Sequence, residues 1–205
     1  MSKTPTALAC LALVIGAAAV AIERAAPDTW HSRLLLAEFT SQPNRHTPRF
    51  ASGTFLPPAL TKNTTLSPAQ NPVILAGTTT IPAGVTLAIE PGTRVFVHEF
   101  SGLHVSGTLR LRGTAEQPVT FFTNEVHPEN QVWNGLIFNP GSRGDIAHAL
   151  IEHASPAVSC LAQSSVAVSD SRFRTGSVGV YAETPSCQVT NTPLHGFTTD
   201  IIKTY

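Results

Sequence analysis

The sequence predicts an all-β protein whose main part, from Val73 to Tyr205, is a parallel β-solenoid of about six coils. Between Asn71 and Thr123, short segments alternate apolar and polar residues, and a Gly or Pro interrupts them every five to eight positions. The segments are rich in β-branched residues and lack helical periodicity, which is typical of short strands. Strands that recur at a nearly constant period indicate a repeat fold.

The predicted coil is close to 20 residues long. Val85 and Val105 lie 20 residues apart, and Leu150, Val168 and Val189 recur at steps of 18 and 21. A coil cannot bury one face of its strands alone, and stacking coils makes a continuous core. We therefore expect Leu150, Val168 and Val189 to stack in one interior column.

Polar residues follow each of these three positions, and a further apolar residue comes later in each coil. The polar residues are Glu152, Asp170 and Asn191, and the later apolar residues are Val158, Val178 and Ile201. Asp170 and Asn191 each precede a Ser or Thr, a composition that favours turns. We predict that both are turn residues that bond the backbone between coils.

Residues 1–24 form a separate segment that contains one predicted hydrophobic helix. Ala7 to Ile22 is an uncharged apolar run of 16 residues behind Lys3. As a signal peptide it has a basic start, a suitable apolar length and a small-x-small box at Ala19 to Ala21. As a membrane anchor it is short, about 24 Å against a hydrocarbon core of about 30 Å. We favour a retained anchor. Its orientation is weakly encoded, since charges are nearly balanced on both sides.

Residues 25–72 are predicted to be a short helix followed by a Pro-rich extended linker. The stretch from Asp28 to Phe39 is consistent with an amphipathic helix whose apolar face includes Trp30, Leu34 and Leu35. Such a helix contacts a membrane surface or a partner, or simply leads the chain out of the membrane. Six prolines between Thr40 and Pro72 favour an extended linker.

The apolar residues in this linker are few. They are Phe50, Phe55, Leu56 and Leu60. We expect them to dock on the first coil as a cap, or on another subunit.

Three passages of the solenoid resemble a known class of repeats. They are IPAGVTLAIEPGTRVFV from Ile81, SGLHVSGTLRLRGTAEQPVTFFT from Ser101, and the WNGLIF box from Trp133 to Phe138. These passages are similar to the repeats of right-handed parallel β-helix proteins of bacterial extracytoplasmic type. The resemblance covers about residues 73–205 and implies a right-handed parallel β-helix in an exported protein. It implies little about activity, because this fold hosts enzymes, adhesins and other proteins.

The charge of the chain excludes some classes of function. It has 13 basic and 13 acidic residues, a formal net charge of zero, whereas a nucleic-acid groove needs a basic excess. Only 13% of the residues are charged, against about 25% in typical soluble domains. A shortage of surface charge suits a protein that is partly covered by a partner or a membrane.

The cysteines leave two alternatives open. Cys160 and Cys187 lie 27 residues apart, which is more than one coil. They either form a disulfide, which an oxidising compartment allows, or remain two buried thiols. Cys10 lies in the apolar run and does not form a convincing lipobox, because the residues before it contain no complete apolar h-region.

The best candidate for metal chemistry is the loop from Asn124 to Gln131, where Glu125, His127 and Glu129 occupy alternate positions. Two carboxylates and an imidazole on one strand face suit a divalent metal. However, Pro128 interrupts the strand and no second ligand set is visible, so we predict no metal site there.

A second polar group follows one coil later and includes His148, Glu152 and His153. Polar side chains on the outer face of a solenoid are normally solvated, and we expect the same for these three.

We predict no catalysis, no cofactor and no metal. Enzymes that resemble this fold use clustered acidic residues, either to bind calcium or as general acid and base. This sequence has no Asp-Asp and no Asp-x-Asp pair. Six coils at about 4.8 Å each give a stack of about 30 Å, which leaves little room for a polysaccharide groove.

The favoured function is that of a non-catalytic, membrane-anchored structural or assembly subunit of a larger bacterial membrane complex, such as a photosynthetic or respiratory assembly. The solenoid is expected on the periplasmic side of the cytoplasmic membrane, because the proteins it resembles are exported. Its partners would be an integral membrane complex and, through the N-terminal helix, membrane lipid. The candidate contacts are Trp30, Leu34, Leu35, Phe50, Phe55, Ile201, Ile202 and Tyr205.

Two other functions remain as alternatives, an exported carbohydrate-binding or surface module and a polysaccharide-active enzyme. A carbohydrate-binding face needs exposed aromatic side chains. Trp133 is the only tryptophan after residue 72, and Tyr181 is the only tyrosine before Tyr205.

The predicted final strand includes Ile201 and Ile202. Asp200 and Lys203 are its only residues whose charge would discourage pairing with another strand. We expect the last coil to be covered by a partner protein or by the Pro-rich linker.

Overall fold

The computed structural model describes residues 53–123 and 133–205, and this part of the chain is a parallel β-solenoid of about six turns. The described residues form seventeen strands and one short 3-10 helix, Pro68–Gln70. Neighbouring strands are parallel throughout, as expected when each coil stacks on the one before it. The prediction of an all-β parallel solenoid is confirmed.

The strands form three faces, which the chain visits in turn. The first face contains β1 (Thr54–Phe55), β3 (Val73–Leu75), β6 (Arg94–Val97), β9 (Val119–Phe122) and β12 (Ala149–Glu152). The second face contains β4 (Thr78–Ile81), β7 (Gly102–Val105), β10 (Leu136–Phe138) and β13 (Val158–Cys160). The third face contains β2 (Thr64–Leu66), β5 (Thr86–Ile89), β8 (Thr108–Arg112), β11 (Arg143–Ala147), β14 (Ser165–Ser169) and β16 (Cys187–Thr190). Two long strands, β15 (Arg172–Ala182) and β17 (Leu194–Lys203), pass from the first face to the second.

Alternation along each strand divides its side chains between the core and the outside. In β8, Leu109 and Leu111 are buried, whereas Arg110 and Arg112 are exposed. Because parallel strands pair in register, inward side chains stack into columns that run through the coils. The column on the third face contains Leu66, Ile89, Leu111, Ile146, Val168 and Val189.

The predicted column is partly wrong, because Leu150 does not belong to it. Val168 pairs with Val189 as expected, but its partner in the preceding coil is Ile146. Leu150 lies on the first face, pairs with Arg172 and is half-buried. Its neighbour Ile151 points inward on β12 and is fully buried, so alternation turns Leu150 outward.

The coil is slightly longer than the 20 residues predicted. On the third face Ala167 pairs with Gln188, 21 positions further along the chain. Val105 pairs with Ile81 and not with Val85, which lies in the turn before β5. Val85 and Val105 are therefore not equivalent positions, although both are apolar and 20 residues apart.

The first coil begins before Val73, where the sequence analysis placed the start of the solenoid. Strand β1 pairs with β3, and β2 pairs with β5. Leu60 is buried in the core and Leu56 packs against the core, so both belong to the first coil itself. Phe55, predicted to dock with them, is exposed.

One corner of the solenoid repeats the same backbone conformation in successive coils. His148, Asp170 and Asn191 have φ of 49°, 47° and 45°, in the left-handed region. Asp and Asn tolerate this region better than most residues, so the turn prediction for Asp170 and Asn191 is confirmed. Their side chains join the coils differently from the prediction, because the Asn191 amide donates a hydrogen bond to Oδ1 of Asp170 at 2.5 Å.

Cys160 and Cys187 form a disulfide, which decides between the two alternatives. Cys160 is on β13, and Cys187 is on β16 in the next coil. The bond therefore connects two neighbouring coils across the interior.

Several predicted features lie outside the described residues: the apolar run Ala7 to Ile22, the amphipathic segment Asp28 to Phe39, and the loop from Asn124 to Gln131. Within residues 53–123 and 133–205, no helix has the length and apolar character needed to cross a membrane.

Candidate partner-binding edge and polar groove

The C-terminal edge of the solenoid is formed by β17, which is ten residues long. One side of β17 pairs with β15 along most of its length. In the described part of the chain, no strand pairs with the other side. An edge of this kind presents a row of backbone donors and acceptors to which an extended chain can add.

Ile201 is the most informative side chain at this edge. It continues a core column in which Val158 and Val180 are 0% and 1% exposed, yet Ile201 itself is 41% exposed. Val180 has a strand on both sides, whereas Ile201 has one only on the side of β15. Ile201 therefore faces the direction of the core but lacks a covering coil among the described residues.

Two further apolar side chains lie near Ile201 at this edge, among polar residues of β17. Ile202 is half-buried and pairs with Tyr181. Tyr205 is 56% exposed, and the Lys203 ammonium lies 5.9 Å from its ring centroid. The three predicted contacts Ile201, Ile202 and Tyr205 thus lie together at one end of the stack.

The other predicted contacts do not join them. Phe55, on β1, is 62% exposed and lies at the opposite end of the strand order. Trp30, Leu34, Leu35 and Phe50 are outside the described residues.

The structure also shows an apolar ladder on the outside of the first face, which the sequence analysis did not predict. Phe55, Ile74, Phe96 and Phe122 are paired in register on β1, β3, β6 and β9. The rings of Phe96 and Phe122 are 5.6 Å apart, and the Arg94 guanidinium lies 4.8 Å from the Phe122 ring. The sequence signal for it is three consecutive apolar residues in β3 and β6, where alternation requires a polar residue in the middle.

A groove of about 440 Å³ follows the corner between the third and first faces. His148, Asp170 and Asn191 stack along it, and Arg172 and Leu150 contribute to its walls. It offers an imidazole, a carboxylate, an amide and a guanidinium to a polar ligand. Its volume is in the range of small-molecule sites, about 300–1,000 Å³.

The structure does not bring His148, Glu152 and His153 together as a metal site. Glu152 lies 3.6 Å from Arg174. His153 lies at the next corner, and its buried Nδ1 has no hydrogen-bond partner among the described residues. Within the described ranges, no three His, Cys, Asp or Glu side chains are grouped so that they can hold a metal ion.

Trp133 is a core residue and not part of a ligand-binding face. It is fully buried, its ring stacks on Phe121 at 5.6 Å, and its Nε1 donates to the Glu152 carbonyl at 2.8 Å. Tyr181 is half-buried, and its hydroxyl donates to Glu183 at 2.9 Å.

Comparison with protein-family models, with curated proteins and with solved structures finds no significant match to this chain.

Proposed function

We propose that this protein is a non-catalytic structural or assembly subunit, anchored in a bacterial cytoplasmic membrane, with its solenoid on the periplasmic side. In this proposal an integral membrane complex covers the C-terminal edge, with an extended segment paired to β17. The observation that supports it best is Ile201, a core-column residue that is 41% exposed at this edge.

The physical reason is that pairing at β17 satisfies backbone hydrogen-bonding groups and buries exposed apolar side chains at the same time. A strand added to β17 bonds its backbone and also covers Ile201 and Tyr205. Burying a large apolar side chain stabilises by about 1.5–3 kcal/mol, so this edge can contribute substantially to association. Asp200 and Lys203 are the only Asp, Glu, Lys or Arg residues of β17, and they provide little repulsion against pairing.

Two further features agree with this location. The Cys160–Cys187 disulfide suits an oxidising compartment such as the periplasm. The 16-residue apolar run from Ala7 to Ile22 supplies a candidate anchor.

The test is purification from native membranes. We expect the wild-type protein to migrate with an integral membrane complex after mild detergent extraction. Deletion of Asp200 to Tyr205 should weaken this association more than it lowers the stability of the upstream coils. Phe100→Asn is the control, since Phe100 is 69% exposed but lies in the turn before β7, away from this edge. If the native protein is a stable, non-associating monomer with β17 exposed to solvent, the proposal is wrong.

The polar groove supports a second candidate, an exported carbohydrate-binding module. Hydrogen-bonding side chains of His148, Asp170 and Asn191 repeat from coil to coil along it. Titration of the soluble domain with neutral oligosaccharides, with His148→Ala/Asn191→Ala as the variant, tests this candidate. Saturable binding that the variant loses would favour it, and turnover of the oligosaccharide would point instead to a polysaccharide-active enzyme.

A further inference from the structure

The outer surface of the third face carries a cleft of about 340 Å³ that contains three arginines. They are Arg110 and Arg112 on β8 and Arg143 on β11. Asp145 is the only acidic residue among those that line the cleft. This concentration of positive charge is unusual in a chain whose formal net charge is zero and of which only 13% is charged.

The fold brings these side chains together although they are distant in sequence. Arg110 and Arg112 occupy alternate positions of β8, so both point outward. Strand β11 pairs with β8 about 4.8 Å away, and Arg143 lies opposite Thr108, which makes it a diagonal neighbour of Arg110. Arg110 lies between Ala88 of β5 and Asp145 of β11, and Arg112 pairs with Ala147 of β11. Both arginines are exposed, so their guanidinium groups are accessible to a ligand.

Asp145 neutralises only one of the three arginines. Both Nε and Nη2 of Arg112 donate to Oδ2 of Asp145, at 3.0 and 2.6 Å. In the described part of the chain, no carboxylate forms an ion pair with Arg110 or Arg143. The cleft therefore presents two unpaired guanidinium groups, with a third held in position beside them.

We propose that this cleft binds an oxyanion of the phosphate or sulfate class, either as a free ion or as a group on a larger molecule. Two unpaired positive charges match a dianion, and the planar guanidinium forms paired hydrogen bonds to such oxygens. The cleft lies at the lower end of the size range of ligand sites, which suits a small group. The proposal concerns a face formed by β8 and β11 and does not depend on the proposed partner at β17.

The test is calorimetric titration of the full-length protein with inorganic phosphate and with sulfate, at constant ionic strength against chloride. We expect saturable binding, and we expect Arg110→Ala/Arg143→Ala to weaken it at least about tenfold. Arg94→Ala/Arg174→Ala removes the same charge from the first face, outside both the cleft and the polar groove, and serves as the matched control, with an expected change under about twofold. Asp145→Asn should tighten binding, since it removes the like charge and releases Arg112.

A second arm distinguishes the source of the anion. A short sulfated oligosaccharide that binds more tightly than inorganic sulfate, through the same two arginines, would show that the group is carried by a larger molecule. Equal affinity would identify a free ion. The absence of saturable binding, or an equal loss in the two arginine double variants, would overturn the proposal. All variants are compared by circular dichroism, so that unfolding is not mistaken for lost binding.

Discussion

At the scale of single residues, strand alternation and coil register together decide which side chains enter the core. Ile146 is 1% exposed and stacks between Leu111 and Val168. Leu150 has the same apolar character and lies four residues later, but it points outward on the first face. The pair therefore provides a matched test of the register.

We expect Ile146→Ala to lower the free energy of unfolding by about 2–5 kcal/mol, because it leaves a cavity inside the stack. Leu150→Ala should cost clearly less, since Leu150 is only half-buried. Urea denaturation monitored by circular dichroism measures both. Equal losses for the two variants would contradict the register described here.

Gly135 provides a second prediction at this scale. Its φ is 70°, and a Cβ at this position would lie 1.9 Å from the carbonyl oxygen of Pro156 in the next coil. Gly84 has a φ of 80° but nothing within 4 Å of the same point. Both Ala variants carry the cost of the left-handed conformation, about 1–2 kcal/mol, and only Gly135→Ala also forces two coils apart.

Gly135→Ala should therefore destabilise the protein by at least about 1 kcal/mol more than Gly84→Ala does. Chemical denaturation of the two variants side by side gives this difference. Similar values would mean that the coils are not in contact at Gly135.

At the scale of elements, the corners and the disulfide hold successive coils in register. Asp170 and Asn191 join two corners through their side chains. The Cys160–Cys187 bond joins β13 to β16, next to the last coil. Both links lie in the C-terminal half, where β17 has a neighbouring strand on one side only among the described residues.

We expect reduction of the disulfide to lower the free energy of unfolding by about 3.5 kcal/mol, the value for the loop closed by a sequence separation of 27. Denaturation with and without dithiothreitol measures it. The control is Cys160→Ala/Cys187→Ala, whose stability should not respond to the reductant. A wild-type protein whose stability is equally insensitive would contradict the cross-link.

At the scale of the whole molecule, a solenoid is stabilised by contacts between neighbouring coils, so its ends are where association with other molecules is favoured. The ends carry Phe55 and Ile201, two of the four large apolar residues that are exposed in the described part of the chain. The arginine cleft, by contrast, lies on a lateral face, so partner binding at an end leaves it accessible.

The proposed membrane anchor leads to a prediction for the whole chain. We propose that the segment Ala7 to Ile22 remains on the mature protein as a helix. Intact mass measurement or N-terminal sequencing of the native protein should then detect residues 1–22. A mature start near Ile22 would show that the segment is a cleaved signal, and the protein would be an exported soluble one.

The sequence alone determined the fold class, the apolar strands and the turn positions of Asp170 and Asn191. These features follow from alternation, glycine and proline, which are local properties of the chain. Only the tertiary structure decided that Ile146 stacks on Val168, that Cys160 meets Cys187, and that Arg143 lies beside Arg110. Each of these pairs spans more than 20 residues of sequence.

The physical reason is that coil-to-coil register depends on the length and conformation of every turn between the paired strands. From Arg110 to its partner Asp145 the chain takes 35 positions, whereas from Asp145 to Ala167 it takes 22. A constant period read from the sequence cannot accommodate this insertion. The error at Leu150 has a different origin: Leu150 lies 18 positions before Val168, whereas the true partner Ile146 lies 22 positions before it, and apolar character alone does not distinguish the two. The exposed end at Ile201 was anticipated from the strand-like sequence, but its place above Val180 and Val158 required the stacked coils.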